Sequence, residues 1–197
     1  MVLRAFLVVA LALLVTACGE RTNGSTSPFK SADISRAEWG RDFRLTDHNG
    51  QPRSIGDFRG KVTLLFFGFT HCPDVCPTTM ADMARVVERL GPDGQRVQGL
   101  FVTVDPARDT PQVLVKYATS FHPSFLGLYG DVDATASLAK EFKFFHEMQP
   151  ADPQGRYAVM HGSAIYVYDP RGRLRLLMGV ERTVDAMAAD IARLLRE

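Results

Sequence analysis

Lys61-Val62-Thr63-Leu64-Leu65-Phe66-Phe67-Gly68-Phe69-Thr70-His71-Cys72-Pro73-Asp74-Val75-Cys76-Pro77 decides how this chain folds. Its first half, Lys61 to Phe67, is a continuous apolar run of strand length, the pattern of a strand buried on both faces. Its second half sets two thiols, Cys72 and Cys76, just past the carboxyl end of that strand. In an open α/β sheet, ligands and chemistry collect where strand ends lead into helix starts, because the first N–H groups of the helix point outward unpaired. A helix N-terminus also favours thiolate over thiol. Pro77 suits the first position of a helix but would clash in the second turn of one begun at Pro73. The helix is therefore expected to start near Pro77, with both sulfurs in or beside a short loop.

Downstream, Met80, Met83, Ala84, Val87 and Leu90 recur at helical spacing. Val97 to Val104 has the character of a strand, and Thr110-Pro111 supplies a cap and a first helical residue. A short strand, Phe125 to Tyr129, precedes a helix from Asp131, and His146 to Arg156 has the composition of a loop. Ser163 to Tyr168 and Leu174 to Met178 flank the turn residues Asp169-Pro170-Arg171-Gly172, and a closing helix carries Val184, Met187, Ala188, Ile191 and Leu195. Upstream, Phe43 to Leu45 and Gln51 to Arg53 flank Asp47-His48-Asn49-Gly50, a strong hairpin signal. Alternation of strands and helices, ending in a hairpin and a helix, predicts parallel strands with crossover helices and a terminal antiparallel pair. The fold class expected is α/β, with the element order of a thioredoxin-like fold and an added N-terminal β-hairpin.

Residues 1–17 carry Arg4, an apolar core from Ala5 to Val15 and small residues before Cys18, which together predict a secretory signal peptide. The apolar run is short for a bilayer span. Val15-Thr16-Ala17-Cys18 looks like a bacterial lipobox, in which Cys18 becomes the lipidated first residue. Residues 18–39 are then a lipidated Cys followed by a flexible tether rich in Ser, Thr, Gly and Asn, and residues 40–197 have the length of one domain. With Cys18 lipidated, Cys72 and Cys76 are the two thiols left of the chain's three cysteines, in a compartment where disulfides form. The net charge is +1 with no segregated basic block, which argues against nucleic acid as a partner. Arg171, Arg173 and Arg175 alternate along a strand, as a solvated face or a docking stripe for an acidic partner.

A nearby pair of thiols is redox-active, metal-binding or both. Two thiolates and an imidazole suit Cu(I), which prefers sulfur and accepts three ligands, better than Zn, which usually takes four. His161 precedes the strand from Ser163, where a thioredoxin-like fold returns a loop to the cysteine pair; Met160-His161-Gly162 lacks the proline usual there in thioredoxin-like oxidoreductases. His71, adjacent to Cys72, is the alternative imidazole, while His48, His122 and His146 fall in expected surface loops or helix ends. A peroxidase would need only one activated Cys, and nothing singles one out.

Three ordered motifs, Phe69 to Pro77, then Asp105-Pro106-Ala107-Arg108-Asp109-Thr110-Pro111, then His161 before an apolar strand, resemble the Sco/SenC family over roughly Phe43 to Leu195. That family comprises membrane-anchored copper-binding proteins that assemble the binuclear copper centre of cytochrome c oxidase subunit II. The resemblance implies copper, as Cu(I) and in some states Cu(II), on Cys72, Cys76 and His161. It implies a lipid-anchored metallochaperone at the periplasmic face of the bacterial cell membrane, rather than an enzyme. Its partners would be oxidase subunit II or another copper acceptor, together with a periplasmic copper donor or a thiol reductant. The rival is a thiol-disulfide reductase in which Cys72 and Cys76 keep the acceptor's cysteines reduced. The Asp105 to Pro111 motif is expected near the site, or else as a helix cap with a local Arg-Asp pair. Many family members carry Asp where this chain has Met160, whose thioether either packs at a strand edge or favours Cu(I) where a carboxylate would serve Cu(II).

Overall fold

The computed structural model describes residues 27–154, 157–179 and 181–197. The expected signal peptide, Cys18 and the start of the expected tether lie outside these residues. Among the described residues the order is β1 (Ala32–Asp33), β2 (Leu45–Asp47), β3 (Pro52–Arg53), β4 (Val62–Gly68), α1 (Val75–Arg89), β5 (Val97–Thr103), α2 (Pro111–Phe121), β6 (Leu126–Tyr129), α3 (Val132–Glu141), β7 (His146–Met148), β8 (Val159–His161), β9 (Ile165–Tyr168), β10 (Leu174–Met178) and α4 (Val184–Leu194).

The main sheet runs β1-β10-β9-β4-β5-β6-β2-β3. β4, β5 and β6 are parallel, and β9 and β10 close the other side antiparallel. The expected hairpin pairs Leu45 with Arg53, and β2 pairs antiparallel with β6, so the hairpin widens the sheet at that edge. Gly50, at φ +80°, closes its turn in a conformation that L side chains rarely adopt. This is the thioredoxin-like arrangement with its N-terminal addition. Every residue of β4 and β5 is buried, as central parallel strands require. Phe67 stacks on Phe144 with ring centroids 4.1 Å apart and meets Phe142 and Tyr166 edge-on. α1 buries Met80, Met83, Val86 and Val87, and α4 buries Met187, Ile191 and Leu194. Each such side chain contributes about 1.5–3 kcal/mol on burial.

Four local features depart from expectation. α1 begins at Val75, two residues before Pro77, with Asp74 as its N-cap. Pro77 thus occupies the third helical position, still within the first turn, where the N–H it lacks would have had no helical partner. Cys76 accordingly lies inside the helix. The segment from His146 is not all loop: β7 pairs with β8 as a separate two-stranded ribbon. Lys143, at φ +51°, turns the chain out of α3 towards it.

Ahead of Gly40, where composition suggests a tether, the chain is already packed. Phe29 is buried, the N–H groups of Lys30 and Ser31 donate to the Asp190 carboxylate at 2.7 and 2.8 Å, and β1 pairs with β10. The partners are about 160 residues away in sequence, beyond the reach of a compositional argument. Finally, the three arginines are internally engaged. Arg173 and Arg175 donate to buried Asp169, Arg175 also to the Glu197 carboxylate, and Arg171 to the Glu197 main-chain carbonyl.

Candidate metal centre

Cys72 sits on a turn closed by its own N–H donating to the Phe69 carbonyl at 3.2 Å, and is half-buried. Cys76, the second residue of α1, is fully buried against the end of β4. Gly68 makes that approach possible: a Cβ there would lie 2.9 Å from Cys76 Sγ and 2.8 Å from Phe101 Cε2, closer than real contacts allow. Neither cysteine is in a disulfide. Burial pushes the Cys76 thiol up, with the neighbouring Cys72 and Asp109 adding to the rise despite the Phe69 backbone. Desolvation therefore wins over the helix N-terminus, contrary to the thiolate preference expected from position alone. A metal must displace a proton from Cys76, so binding strengthens as pH rises.

His161 ends β8. Its Nδ1 lies 2.8 Å from the Gly162 carbonyl, which can only accept, so Nδ1 carries the proton and Nε2 presents a lone pair. That Nε2 faces Cys76 Sγ at 3.4 Å. The ring stands edge-on to Phe66 and Phe69, at centroid distances of 6.3 and 5.8 Å. Burial lowers its pKa, with His146 adding to the fall against the pull of the Gly162 carbonyl, and so favours the neutral imidazole that a metal requires. The donor atoms of Cys72, Cys76 and His161 all lie within 4.8 Å of one another.

The other histidines fall elsewhere. His71 is exposed, turns its Nδ1 towards the Asp109 carboxylate at 3.7 Å and stands outside this group. His48 accepts from the Gly127 N–H, and His122 contacts Ser124. His146 lies opposite His161 on the ribbon. Met160 is 52% exposed and lies across from Glu147, so it does not pack at a strand edge. Alternation along the strand turns its side chain to the face opposite His161, away from the metal donors.

The Asp105 to Pro111 segment both caps and clamps. The Thr110 hydroxyl accepts from the Val113 N–H at the start of α2. Asp109, almost fully buried, accepts from the Thr70 N–H and hydroxyl and from the Thr103 hydroxyl, tying the cysteine loop to the end of β5. Arg108 donates Nε to Asp105 and Nη1 to the Tyr157 carbonyl, and lays its guanidinium 3.6 Å over the Tyr157 ring. The Tyr157 hydroxyl completes the loop by donating to Asp105 at 2.9 Å. Tyr157 leads directly into β8, so this clasp fixes the strand that carries His161.

A model of the SCO1/SenC family matches residues 31–196. The chain belongs to the SCO1/SenC family. It is 40% identical over 154 residues to the mitochondrial SCO2 homolog of Mus musculus, a match spanning 77% of this chain and 60% of that protein. The chain spans about half to two thirds of the length of the curated relatives it matches. Among solved structures, copper-bound ScoI of Bradyrhizobium japonicum superposes with a TM-score of 0.72 at 38% identity, covering 80% of this chain and 99% of that one. BsSco, described as a member of the Sco family of cytochrome c oxidase assembly proteins and as containing a disulfide switch, superposes with a TM-score of 0.62 at 27% identity, covering 80% of this chain and 94% of that one. Two sulfurs and a neutral imidazole are a soft donor set, which in this SCO1/SenC domain fits copper in its lower oxidation state better than a hard cation.

The sequence singled out neither Gly68 nor Tyr157, and it set His146 in a surface loop or helix end, whereas it begins β7. The glycine directly before Phe69 on an otherwise unbroken strand was the one available signal, since such a residue marks close approach by another group.

Proposed function

We propose that this chain is a copper metallochaperone that carries Cu(I) on Cys72, Cys76 and His161 and delivers it to the binuclear copper centre of cytochrome c oxidase. The observation that carries this reading is the convergence of the three donors within 4.8 Å, with Cys72 and His161 half-buried and approachable while Cys76 is fully buried. An acceptor ligand can reach the metal beside Cys72 and take it by exchange, without the protein unfolding. Copper in the family's solved structures and the oxidase-assembly role given for BsSco support the same assignment.

Reduced protein should bind one Cu(I), and oxidation to the Cys72–Cys76 disulfide should abolish it, because a disulfide sulfur is a poor ligand. His161→Ala should weaken Cu(I) binding by about tenfold or more while leaving the dithiol able to reduce a small disulfide. Unchanged stoichiometry after oxidation would contradict the ligand set. A second reading draws on the same sulfurs: a half-buried thiol beside a buried one is also how an attacking and a resolving cysteine are arranged, which suits a reductase acting on the acceptor's cysteines.

We assign the domain to the periplasmic face of a bacterial membrane, held by lipid on Cys18, on the strength of Val15-Thr16-Ala17-Cys18. No helix among the described residues is long and apolar enough to cross a membrane. Cys18→Ser should release the mature domain from membranes or block its processing; a variant processed normally and still membrane-bound would contradict the anchor.

A further inference from the structure

The ribbon that carries His161 also carries a second imidazole. His146 on β7 stands directly opposite His161 on β8. The Gly162 N–H donates to the Phe145 carbonyl at 3.1 Å and the Gln149 N–H to the Ala158 carbonyl at 2.8 Å. Those bonds flank the two histidines instead of joining them, which makes them a non-hydrogen-bonded pair, the register in which cross-strand side chains share a face and come closest. His161 directs Nε2 at Cys76 from that face. Glu147 and Met160, of opposite parity, occupy the other face. The position that could supply a carboxylate, Met160, is thus turned away from the metal donors, and the free donor on their side is His146.

The His146 ring is half-buried and leans on Phe144, with ring centroids 5.5 Å apart. Its nitrogens stand outside the converged group of three. Rotation about χ1 and χ2 brings it in: cross-strand Cβ atoms in such a pair are about 4.5–5.5 Å apart, a gap that two imidazoles on one metal span with bonds of about 2 Å.

We propose that His146 is a fourth ligand, recruited by Cu(II) and left aside by Cu(I). The inference rests on the copper reading above and deepens it. Two thiolates and one imidazole satisfy Cu(I), whereas Cu(II) takes a tetragonal set of four and favours nitrogen. Oxidation state then selects between two donor sets on one ribbon, and rotation of a single side chain converts one into the other.

The test is anaerobic addition of Cu(II) to reduced protein, frozen within seconds of mixing, read by electron paramagnetic resonance and its nitrogen modulation, with Cu(I) affinity measured in parallel. Wild type is expected to show two coordinated imidazoles. His146→Phe, which keeps the contact with Phe144, and His146→Gln, which keeps polarity, should each show one, with Cu(II) affinity lower by about tenfold or more and Cu(I) affinity unchanged. A single imidazole in wild type, two surviving in both variants, or equal loss of both copper states would overturn the proposal. Failure of wild type to bind Cu(I) at all would overturn the copper reading and this inference together; normal Cu(I) binding with a one-imidazole Cu(II) spectrum would overturn this inference alone.

Discussion

Cys76 is at once a core residue and a candidate metal donor, and Gly68 is what lets it be both. The sulfur packs where a side chain at 68 would otherwise stand, between Phe101 and the end of β4, and burial there keeps its proton on until a metal displaces it. Gly68→Ala should cost about 1–3 kcal/mol of stability as an overpacking change, and it should weaken copper binding because Cys76 Sγ, with Phe101 Cε2, is one of the two atoms that must yield. Denaturation and Cu(I) competition on the same variant check both effects; lost stability with unaltered copper affinity would show that Cys76 has freedom to spare. The convergence of Cys72, Cys76 and His161 was legible in the sequence, with His71 as the alternative imidazole, because soft donors at a strand end carry their chemistry in residue type and position. Gly68 was not, since what it accommodates comes from another element. The placement of His146 opposite His161 was not, since it depends on a strand pairing that the polar, proline-containing stretch after it conceals.

At the scale of elements, the ribbon of β7 and β8 stands apart from the main sheet and brings one of the three donors. The Arg108–Asp105–Tyr157 clasp anchors its far strand to the loop after β5. Arg108→Ala removes the cation from a carboxylate that is 2% exposed and should cost about 2 kcal/mol. It should also lower Cu(I) affinity without altering the reactivity of Cys72, because only His161 rides on the clamped strand. Arg108→Lys should rescue little, lacking the planar fork that donates to two partners while stacking on Tyr157. Equal copper affinity in wild type and Arg108→Ala would mean that β8 holds its place unaided. Periodicity exposed the main strands and helices, and the Asn-Gly turn exposed the hairpin. The start of α1 was missed by two residues because proline is tolerated throughout a first helical turn, so Pro77 did not mark the boundary. The clasp was invisible because Tyr157 lies 52 residues from Asp105.

Across the whole molecule, buried carboxylates hold the ends of the chain to the sheet. Asp190 receives the chain at Lys30 and Ser31, and Asp169 gathers Arg173, Arg175 and two backbone N–H groups. Burial alone would raise the Asp169 pKa, but the bonds from Arg173 and the backbone outweigh it and hold the carboxyl below its usual range; Asp47 is held down in the same way by Gln51 and Arg53. A depressed folded-state pKa contributes stability that is present above the unfolded value of about 3.9 and lost as pH falls through the folded value. Denaturation midpoints should therefore fall below about pH 4, and Asp169→Asn should flatten that limb while costing about 2 kcal/mol at neutral pH. An acid limb as steep in the variant as in wild type would remove Asp169 from the account. The central claim concerns cargo, and mixing the Cu(I)-loaded protein with apo oxidase subunit II, following metal and thiols on both partners, tests it most directly. The account predicts that copper moves to the acceptor while Cys72 and Cys76 finish as a dithiol. Copper absent from the acceptor, with an acceptor disulfide newly reduced and Cys72 and Cys76 joined as a disulfide in its place, would contradict it.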